Sequence, residues 1–194
     1  MKKWIAGSLV SLALAAGVLC TPALAKPGTF RFAEEVKLIS LDPQQLAGGG
    51  ISYMRPVYET LFRVGPDDRL EPLLATGYEA DGLKIKFTLR EGVKFSDGEP
   101  FDARAVVANL ERGVKLAIQP SLKPIRSVEA TGDHEVTVTL GEPSPSLIRS
   151  LAGAPRMMVS PKALADPALD RTPVGTGPYL YDKSQSREGE VRVY

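Results

Sequence analysis

Few residues of this chain have the types and spacing that catalysis requires. His134 is the only histidine, and it follows Thr131-Gly132-Asp133 in an apparent hairpin turn, where no partner for a general base is marked. No serine lies in a Gly-x-Ser-x-Gly elbow. Gly175-Thr176-Gly177-Pro178 begins like a nucleotide-binding loop, but its proline has no amide for a phosphate and no later glycine completes the pattern. The sequence therefore predicts a protein that is not an enzyme and has no cofactor.

Charge and cysteine content exclude further classes of function. The 24 basic and 23 acidic residues nearly cancel, and no basic stripe carries interleaved aromatic residues, so nucleic acid is not an expected partner. Cys20 is the only cysteine, so the chain can form neither an internal disulfide nor a thiolate metal cluster. We expect no metal site.

A stretch with a period of two lies at the centre of the chain. Residues Leu83–Arg90 alternate between apolar and polar, which predicts a half-buried strand. Its inward face would consist of Leu83, Ile85, Phe87 and Leu89. Glu91-Gly92 ends the strand, Val93 and Phe95 resume the inward face, and Asp97-Gly98 is a strong turn dipeptide.

A capped helix is predicted directly after this turn. Asp102 is a good N-cap residue, and Phe101 before it can pack on Val106 as a hydrophobic staple. The buried helix face would consist of Val106, Val107, Leu110 and Val114. Gly113 is the predicted stop.

The other predicted elements are short. Thr29–Ala33 is the first strand, and Ser52 caps a helix that carries Tyr53, Val57, Tyr58 and Leu61. A hairpin joins Ile125–Ala130 to Glu135–Leu140, with Val136, Val138 and Leu140 on one face. Ser144–Leu151 is a short helix, Met157–Ser160 is extended, Pro161–Ala165 is a helical turn, and Val174–Tyr181 is a strand. This mixture of short strands and helices indicates an α/β or α+β fold.

Several spaced blocks resemble one known family. They are VYETL (57–61), LEPLLATGYE (70–79), LREGVKFSDGEPFDA (89–103) and PVGTGPY (173–179). Their order and spacing are similar to those of bacterial extracellular solute-binding proteins of family 5, the peptide-, oligopeptide- and nickel-type receptors of ABC importers. The resemblance runs from about Phe30 to Tyr194. It implies a periplasmic-binding-protein-like fold of type II with two lobes, of which this chain would hold the first, with a smaller subdomain inserted in it.

The resemblance also implies where a ligand would bind. In the family the ligand lies between the lobes, and the first lobe contributes three segments, which correspond here to Glu34–Lys37, Leu46–Ile51 and Arg156–Met158. The implied ligand-binding residues are Glu34, Glu35, Val36, Lys37, Leu46, Gly49, Ile51, Arg156 and Met157.

These segments suggest specific contacts. Extended backbone at Glu34–Lys37 would pair with a peptide as an added strand, and Arg156 would meet a ligand carboxylate. Two alternatives stay open, namely that Arg156 is a surface cation and that Met157 and Met158 fill the core. A nickel chelate is less favoured than a peptide-like solute, because Leu46 and Ile51 occupy places where nickel-type members have aromatic and basic residues.

The N-terminus has the features of a secretory leader. A basic start is followed by the apolar run Trp4–Leu19 and by small residues that end at Ala25. We expect a signal peptide over residues 1–25, cleavage after Ala25, and a periplasmic solute-binding domain over 26–194. A lipid anchor at Cys20 is disfavoured, because Leu19 stands where lipoprotein cleavage sites have a small residue.

The C-terminus reads as an alternating strand that stops at Tyr194. Family members are more than twice as long, so the expectation is a fragment without the second lobe. Such a fragment would bind ligand weakly or not at all.

The sequence thus predicts a monomeric, periplasmic receptor for peptides or peptide-like solutes, which passes its ligand to ABC permease subunits in the inner membrane. An exported hydrolase, a nickel-chelate receptor and a periplasmic chaperone with the same fold are the alternatives.

Overall fold

The computed structural model describes Phe32 and residues 40–46, 50–187 and 190–194. The chain divides into two units, Met1–Ala33 and Glu34–Tyr194, and every helix and strand below belongs to the second. The predicted leader over residues 1–25 and, apart from Phe32, the predicted strand Thr29–Ala33 lie outside the described residues.

The second unit mixes short helices and strands, as predicted. The helices are α1 (Ile51–Met54), α2 (Ala103–Leu116), α3 (Leu147–Ser150) and α4 (Pro161–Leu164). The strands are β1 (Phe62–Val64), β2 (Leu70–Pro72), β3 (Ala75–Asp81), β4 (Lys84–Leu89), β5 (Ile125–Gly132), β6 (Glu135–Leu140), β7 (Asp182–Arg187) and β8 (Val191–Val193). Short 3-10 turns cover Pro43–Gln45, Pro120–Leu122, Ala154–Arg156 and Pro167–Asp170.

An antiparallel sheet with the strand order β3-β4-β6-β5 forms the centre of this unit, and α2 packs against β5 and β6. The predicted hairpin is confirmed as β5 and β6, and Val136, Val138 and Leu140 are buried together on its inner face. Two further antiparallel pairs, β1-β2 and β7-β8, form separate two-stranded sheets.

Strand β4 confirms the predicted alternation except at its start. Ile85, Phe87 and Leu89 are buried, whereas Leu83 is 40% exposed. The prediction that Leu83 faces inward is wrong, because Leu83 follows Gly82 in the tight turn between β3 and β4 rather than lying in the strand. Gly82 has a φ of 58°, a backbone conformation that glycine adopts without strain.

Helix α2 begins as predicted and ends later. The Asp102 side chain accepts a hydrogen bond from the backbone N–H of Ala105 at 3.0 Å, and Phe101 and Val106 are buried in the same core. Gly113 is not the stop. It lies inside the helix, where a Cβ atom would come 2.8 Å from Leu122 Cδ1, so the missing side chain leaves room for Leu122. The helix ends at Leu116, and Ala117 caps it in the left-handed conformation.

The predicted helix that begins at Ser52 is wrong in its extent. Ser52 does not cap α1, because the helix starts at Ile51 after Gly50 and ends at Met54, shortly before Pro56. The proline ring excludes a helix that continues through it.

The predicted strand Val174–Tyr181 is irregular, and regular pairing starts only in β7. Its prolines, Pro173 and Pro178, have no N–H to donate to a strand partner.

The irregular segment brings three of the sequence blocks together. Gly177 N–H donates to the carbonyl of Val57 at 2.7 Å, and the carbonyl of Gly175 accepts from Ser96 N–H at 2.9 Å. A Cβ atom at Gly177 would lie 2.5 Å from Val57 C and 2.6 Å from Pro56 O. We call this contact the signature joint (Pro56, Val57, Ser96, Gly175 and Gly177). Three of the four blocks that resemble the family are therefore parts of one packing contact.

The substitution Gly177→Ala tests the signature joint. Because the added methyl group meets backbone atoms that cannot rotate away, we expect a loss of about 1–3 kcal/mol or more in the free energy of unfolding, measured by urea denaturation. Gly77→Ala is the matched control, since no atom lies within 4 Å of a Cβ there. Equal losses in both variants would contradict the close approach.

The cap of α2 predicts a pH dependence. Burial raises the pKa of the Asp102 carboxyl, but hydrogen bonds from Ala105 N–H and Arg104 outweigh burial and hold this pKa below its usual value. The stabilisation is therefore complete above about pH 4, near the unfolded pKa, and is lost as the pH falls through the folded pKa. Asp102→Asn should unfold with a weaker pH dependence between about pH 2 and 5 in urea titrations. Parallel pH profiles for the two proteins would refute this assignment.

Candidate ligand-binding site

Four of the nine predicted ligand-binding residues lie in the part of the chain that the structure describes. Leu46 and Met157 are buried, Ile51 packs against the same hydrophobic cluster, and Arg156 is half-buried. Glu34, Glu35, Val36, Lys37 and Gly49 lie outside the described residues. Met157 and Met158 are 2% and 0% exposed, so both side chains fill the core in this structure.

Two of the predicted segments lie side by side. The 3-10 turn Pro43–Gln45, which leads to Leu46, packs against the 3-10 turn Ala154–Arg156. Each of these turns has a proline in its first turn. Segments that are far apart in the sequence are thus brought to one place by the fold.

A buried polar network holds the first of these segments. Arg112 on α2 donates from Nη2 to Asp42 Oδ2 at 2.6 Å and from Nη1 to Gln44 Oε1 at 2.9 Å. The Asp42 carboxylate also accepts from Gln44 N–H at 3.0 Å and so caps the turn. The Asp42 side chain is 1% exposed and that of Arg112 is 21% exposed, so this ion pair is largely shielded from water.

Asn109 joins this network to the segment after Arg156. Its Nδ2 donates to the carbonyls of Ala105 at 2.8 Å and Val159 at 2.7 Å. Its Oδ1 accepts from Val159 N–H at 2.9 Å and from Gln44 Nε2 at 3.1 Å. All four hydrogen-bonding positions of one amide are therefore satisfied in the interior.

The loop after α2 is a part of the site that the sequence patterns did not indicate. Gln119 Nε2 donates to the carbonyl of Leu46 at 3.2 Å, and Ser121 Oγ accepts a hydrogen bond from Arg156 Nη2. The segment from Gln119 to Pro124 has no periodicity. Its one sequence signal is a pair of polar residues that flank Pro120 just beyond a helix end.

Arg156 lies at the end of its 3-10 turn. Burial lowers the pKa of its guanidinium, and Nε is buried without a hydrogen-bond partner among the described residues. None of the described carboxylates forms an ion pair with it, although Arg112 and Arg149 each have one. The side chain is thus a half-buried cation that this part of the chain does not neutralise.

Two residues at the end of the chain contact Tyr53 of α1, at the other end of the predicted ligand loop. The Tyr194 hydroxyl donates to the carbonyl of Tyr53, and the Arg192 guanidinium carbon lies 5.5 Å from the centre of the Tyr53 ring. Burial raises the pKa of Tyr194 to about 12, so the hydroxyl stays a donor at neutral pH. The end of the chain therefore contacts α1 at Tyr53, two residues from Ile51.

Other chemistry is sparse in the described part of the chain. His134 is half-buried in the turn between β5 and β6, and its Nδ1 has no hydrogen-bond partner among the described residues. Within the same residues, no three histidine, cysteine or acidic side chains are grouped as metal ligands. No described helix is long and apolar enough to cross a membrane.

Comparison with known proteins identifies the family. Residues 69–193 match the family "Bacterial extracellular solute-binding proteins, family 5 Middle". The chain belongs to this family. The resemblance seen in the sequence blocks is thereby confirmed.

The glutathione-binding proteins GsiB are among the curated relatives. The protein of Salmonella paratyphi A is 37% identical over 187 residues, which cover 91% of this chain and 35% of the relative. That of Escherichia coli K12 is 38% identical over 133 residues, which cover 64% of this chain and 26% of the relative. The chain thus spans about a third of the length of such relatives. They are solute-binding proteins rather than enzymes.

Solved structures of the family share the fold. NikA from Brucella suis in complex with Fe(III)-EDTA is 29% identical, with a TM-score of 0.73 over 83% of this chain and 34% of that chain. The dipeptide-binding protein of Pseudoalteromonas sp. SM9913 in complex with Met-Leu is 26% identical, with a TM-score of 0.69 over 79% and 36%. The predicted fold class, that of a type II periplasmic binding protein, is confirmed.

The substitution Asn109→Ala tests whether the buried amide connects the site segments. Because it leaves buried partners unsatisfied at about 1–3 kcal/mol each, we expect a loss of roughly 2–4 kcal/mol in the free energy of unfolding, measured by urea denaturation. The exposed Lys115→Ala on the same helix should change it by less than about 0.5 kcal/mol. A loss below 1 kcal/mol for Asn109→Ala would show that the network contributes little.

Proposed function

We propose that this protein is the substrate-binding component of an ABC importer and that it binds peptides or peptide-like solutes. Family membership supports the transport role, and the two adjoining turns at Pro43–Gln45 and Ala154–Arg156 support a binding surface on this lobe. Ligand would stabilise a closed arrangement of lobes, which permease subunits in the membrane would recognise. The receptor acts as a monomer and performs no chemistry.

The names of two relatives favour a peptide-like solute, since one binds glutathione and the other is solved with the dipeptide Met-Leu. NikA differs, because it is solved with the chelate Fe(III)-EDTA. The molecules differ in size and in metal content, but each carries at least one carboxylate. In this chain the half-buried Arg156, with no described carboxylate in ion-pair range, is the observation that carries the proposal.

The ligand contacts we propose are those implied by the family. Glu34–Lys37 would offer its backbone to a peptide, and the loop Leu46–Ile51, which includes Gly49, would border the ligand. Arg156 would supply a positive charge for a carboxylate of the ligand. Leu46 and Met157 are buried, so we propose that they support the binding surface by packing in the core below it.

We further propose that the protein is exported to the periplasm. The apolar run Trp4–Leu19 and the small residues before Ala25 support a signal peptide over 1–25 and a solute-binding domain over 26–194. N-terminal sequencing of the periplasmic protein should begin at Lys26. A start at a lipid-modified Cys20 would support the lipoprotein alternative instead.

Amide NMR of the ¹⁵N-labelled chain tests the binding role, because it detects weak as well as tight ligands. The ligand panel is glutathione, Met-Leu, a tripeptide and nickel with L-histidine. We expect saturable shifts at Leu46, Ile51 and Arg156 with at least one peptide-like member. Thr137, Thr139 and Lys86 on the outer face of the sheet are the internal reference and should not shift.

Three results would overturn the proposal. No saturable shift with any member would exclude a binding surface on this lobe by itself, and shifts confined to the outer face of the sheet would exclude the surface at Leu46, Ile51 and Arg156. Cleavage of a panel peptide, seen as new product resonances, would favour an exported hydrolase.

A further inference from the structure

We propose that Asp81 and Gly82, at the turn between β3 and β4, form a site of spontaneous covalent modification, where the aspartate isomerises to isoaspartate through a cyclic imide. The chain has a second Asp-Gly pair, Asp97 and Gly98, which its hydrogen bonds protect from the same reaction. The inference goes beyond the proposed function and does not depend on it, because it concerns the chemistry of one turn of the backbone.

The reaction needs only the chain and water. The backbone nitrogen of Gly82 attacks Cγ of the protonated Asp81 carboxyl group, so that an N–Cγ bond forms and a Cγ–O bond breaks. The amide proton leaves with the carboxyl hydroxyl as water. Water then opens the ring, and cleavage at the backbone carbonyl carbon leaves the chain linked through Cγ as isoaspartate. Glycine favours the attack, since it has no Cβ atom to hinder the approach.

Sequence and exposure do not distinguish the two pairs. Asp81 and Asp97 are both exposed, and each precedes a glycine with a positive φ, 58° at Gly82 and 88° at Gly98. The chain contains no Asn-Gly pair. The difference between the two sites therefore lies in their hydrogen bonds.

At the first pair both reacting groups are free. Asp81 pairs with Lys84 across a two-residue turn, in which Gly82 has a positive φ and Leu83 does not. This is the pattern of a type II′ hairpin, whose ladder does not use the N–H of the first turn residue. Among the described residues, nothing accepts from Gly82 N–H and nothing bonds to the Asp81 carboxylate. No atom lies within 4 Å of a Cβ position at Gly82, so the ring can close without a clash.

At the second pair three hydrogen bonds oppose the reaction. Asp97 Oδ2 accepts from Ser160 Oγ at 2.6 Å, and Oδ1 accepts from Glu99 N–H at 3.1 Å. Gly98 N–H donates to the carbonyl of Phe95 at 2.9 Å. Ser160 is fully buried, so it holds the carboxylate from a fixed position. The electrophile and the nucleophile are each held by other partners and cannot approach without losing these bonds.

Isomerisation would add one carbon atom to the backbone of the first turn. Asp81 and Lys84 form the last pair of the β3–β4 ladder, and Ala80 pairs with Ile85 before them. A longer backbone between Asp81 and Gly82 no longer fits a two-residue turn. Because β3 is an edge strand, β4 keeps β6 as its other neighbour. We expect the modified protein to stay folded and to lose order only at the end of β3.

The test is peptide mapping of the 194-residue chain after prolonged incubation at neutral pH. Trypsin releases the two pairs in separate peptides, residues 70–84 and 95–104, and electron-transfer fragmentation distinguishes isoaspartate from aspartate. If each hydrogen bond slows the reaction about 2- to 10-fold, isoaspartate should form at least about 10-fold faster at Asp81 than at Asp97. In guanidinium chloride, where the fold is lost, this difference should disappear. Amide NMR of the incubated protein should show new resonances for Lys84 and none for Val138.

Two variants separate the chemistry from the fold. Asp81→Glu keeps the charge but cannot close the five-membered ring, so peptide 70–84 should contain no isomerised product. Ser160→Ala removes one bond to Asp97 and should raise isoaspartate there about 2- to 10-fold, with no change at Asp81. Ser127→Ala, on the sheet, is the matched control and should change neither site.

Three results would overturn the proposal. Equal accumulation at the two pairs in the folded protein would show that the hydrogen bonds do not protect Asp97. Isoaspartate at Asp81 in guanidinium chloride but not in the folded protein would show that the turn itself prevents ring closure. A difference between the sites that persists in guanidinium chloride would assign it to the flanking sequence rather than to the fold.

Discussion

The arrangement of this lobe depends on the buried side-chain amide of Asn109. It bonds Gln44 on one side and both backbone groups of Val159 on the other, so α2 determines where two distant segments lie. The Asp42–Arg112 pair extends the same network. Removing one partner of a buried ion pair costs about 3–5 kcal/mol, because the other charge is left without compensation. The candidate site is therefore built on polar contacts inside the protein rather than on its surface loops.

Local chemistry was enough to predict the sheet and its main helix. Alternation identified β4 and β6, and the Asp102 cap marked where α2 begins. Prediction failed where a distant contact overrides local preference. Gly113 reads as a helix stop, yet the side chain of Leu122 occupies the space that it leaves. Val174–Tyr181 reads as a strand, yet its amides and carbonyls bond Val57 and Ser96 instead of a neighbouring strand.

The site was only partly predictable for the same reason. The family resemblance predicts Leu46, Ile51 and Arg156, and the structure brings their segments together. Whether these residues touch a ligand stays a prediction. The sequence patterns do not indicate Ser121 or Gln119. Their hydrogen bonds with Arg156 and Leu46 form only in the folded chain, where α2 positions the loop that carries them. Spacing of 35 residues between Ser121 and Arg156 carries no periodic signal.

The signature joint has a consequence for how stability and specificity are divided in this chain. Its contacts join backbone to backbone, and a Cβ atom at Gly175 or Gly177 would meet backbone atoms of Val57. None of its residues belongs to the ligand contacts proposed above. A substitution in the joint would therefore act on the stability of the fold, whereas the choice of solute would be changed at other positions.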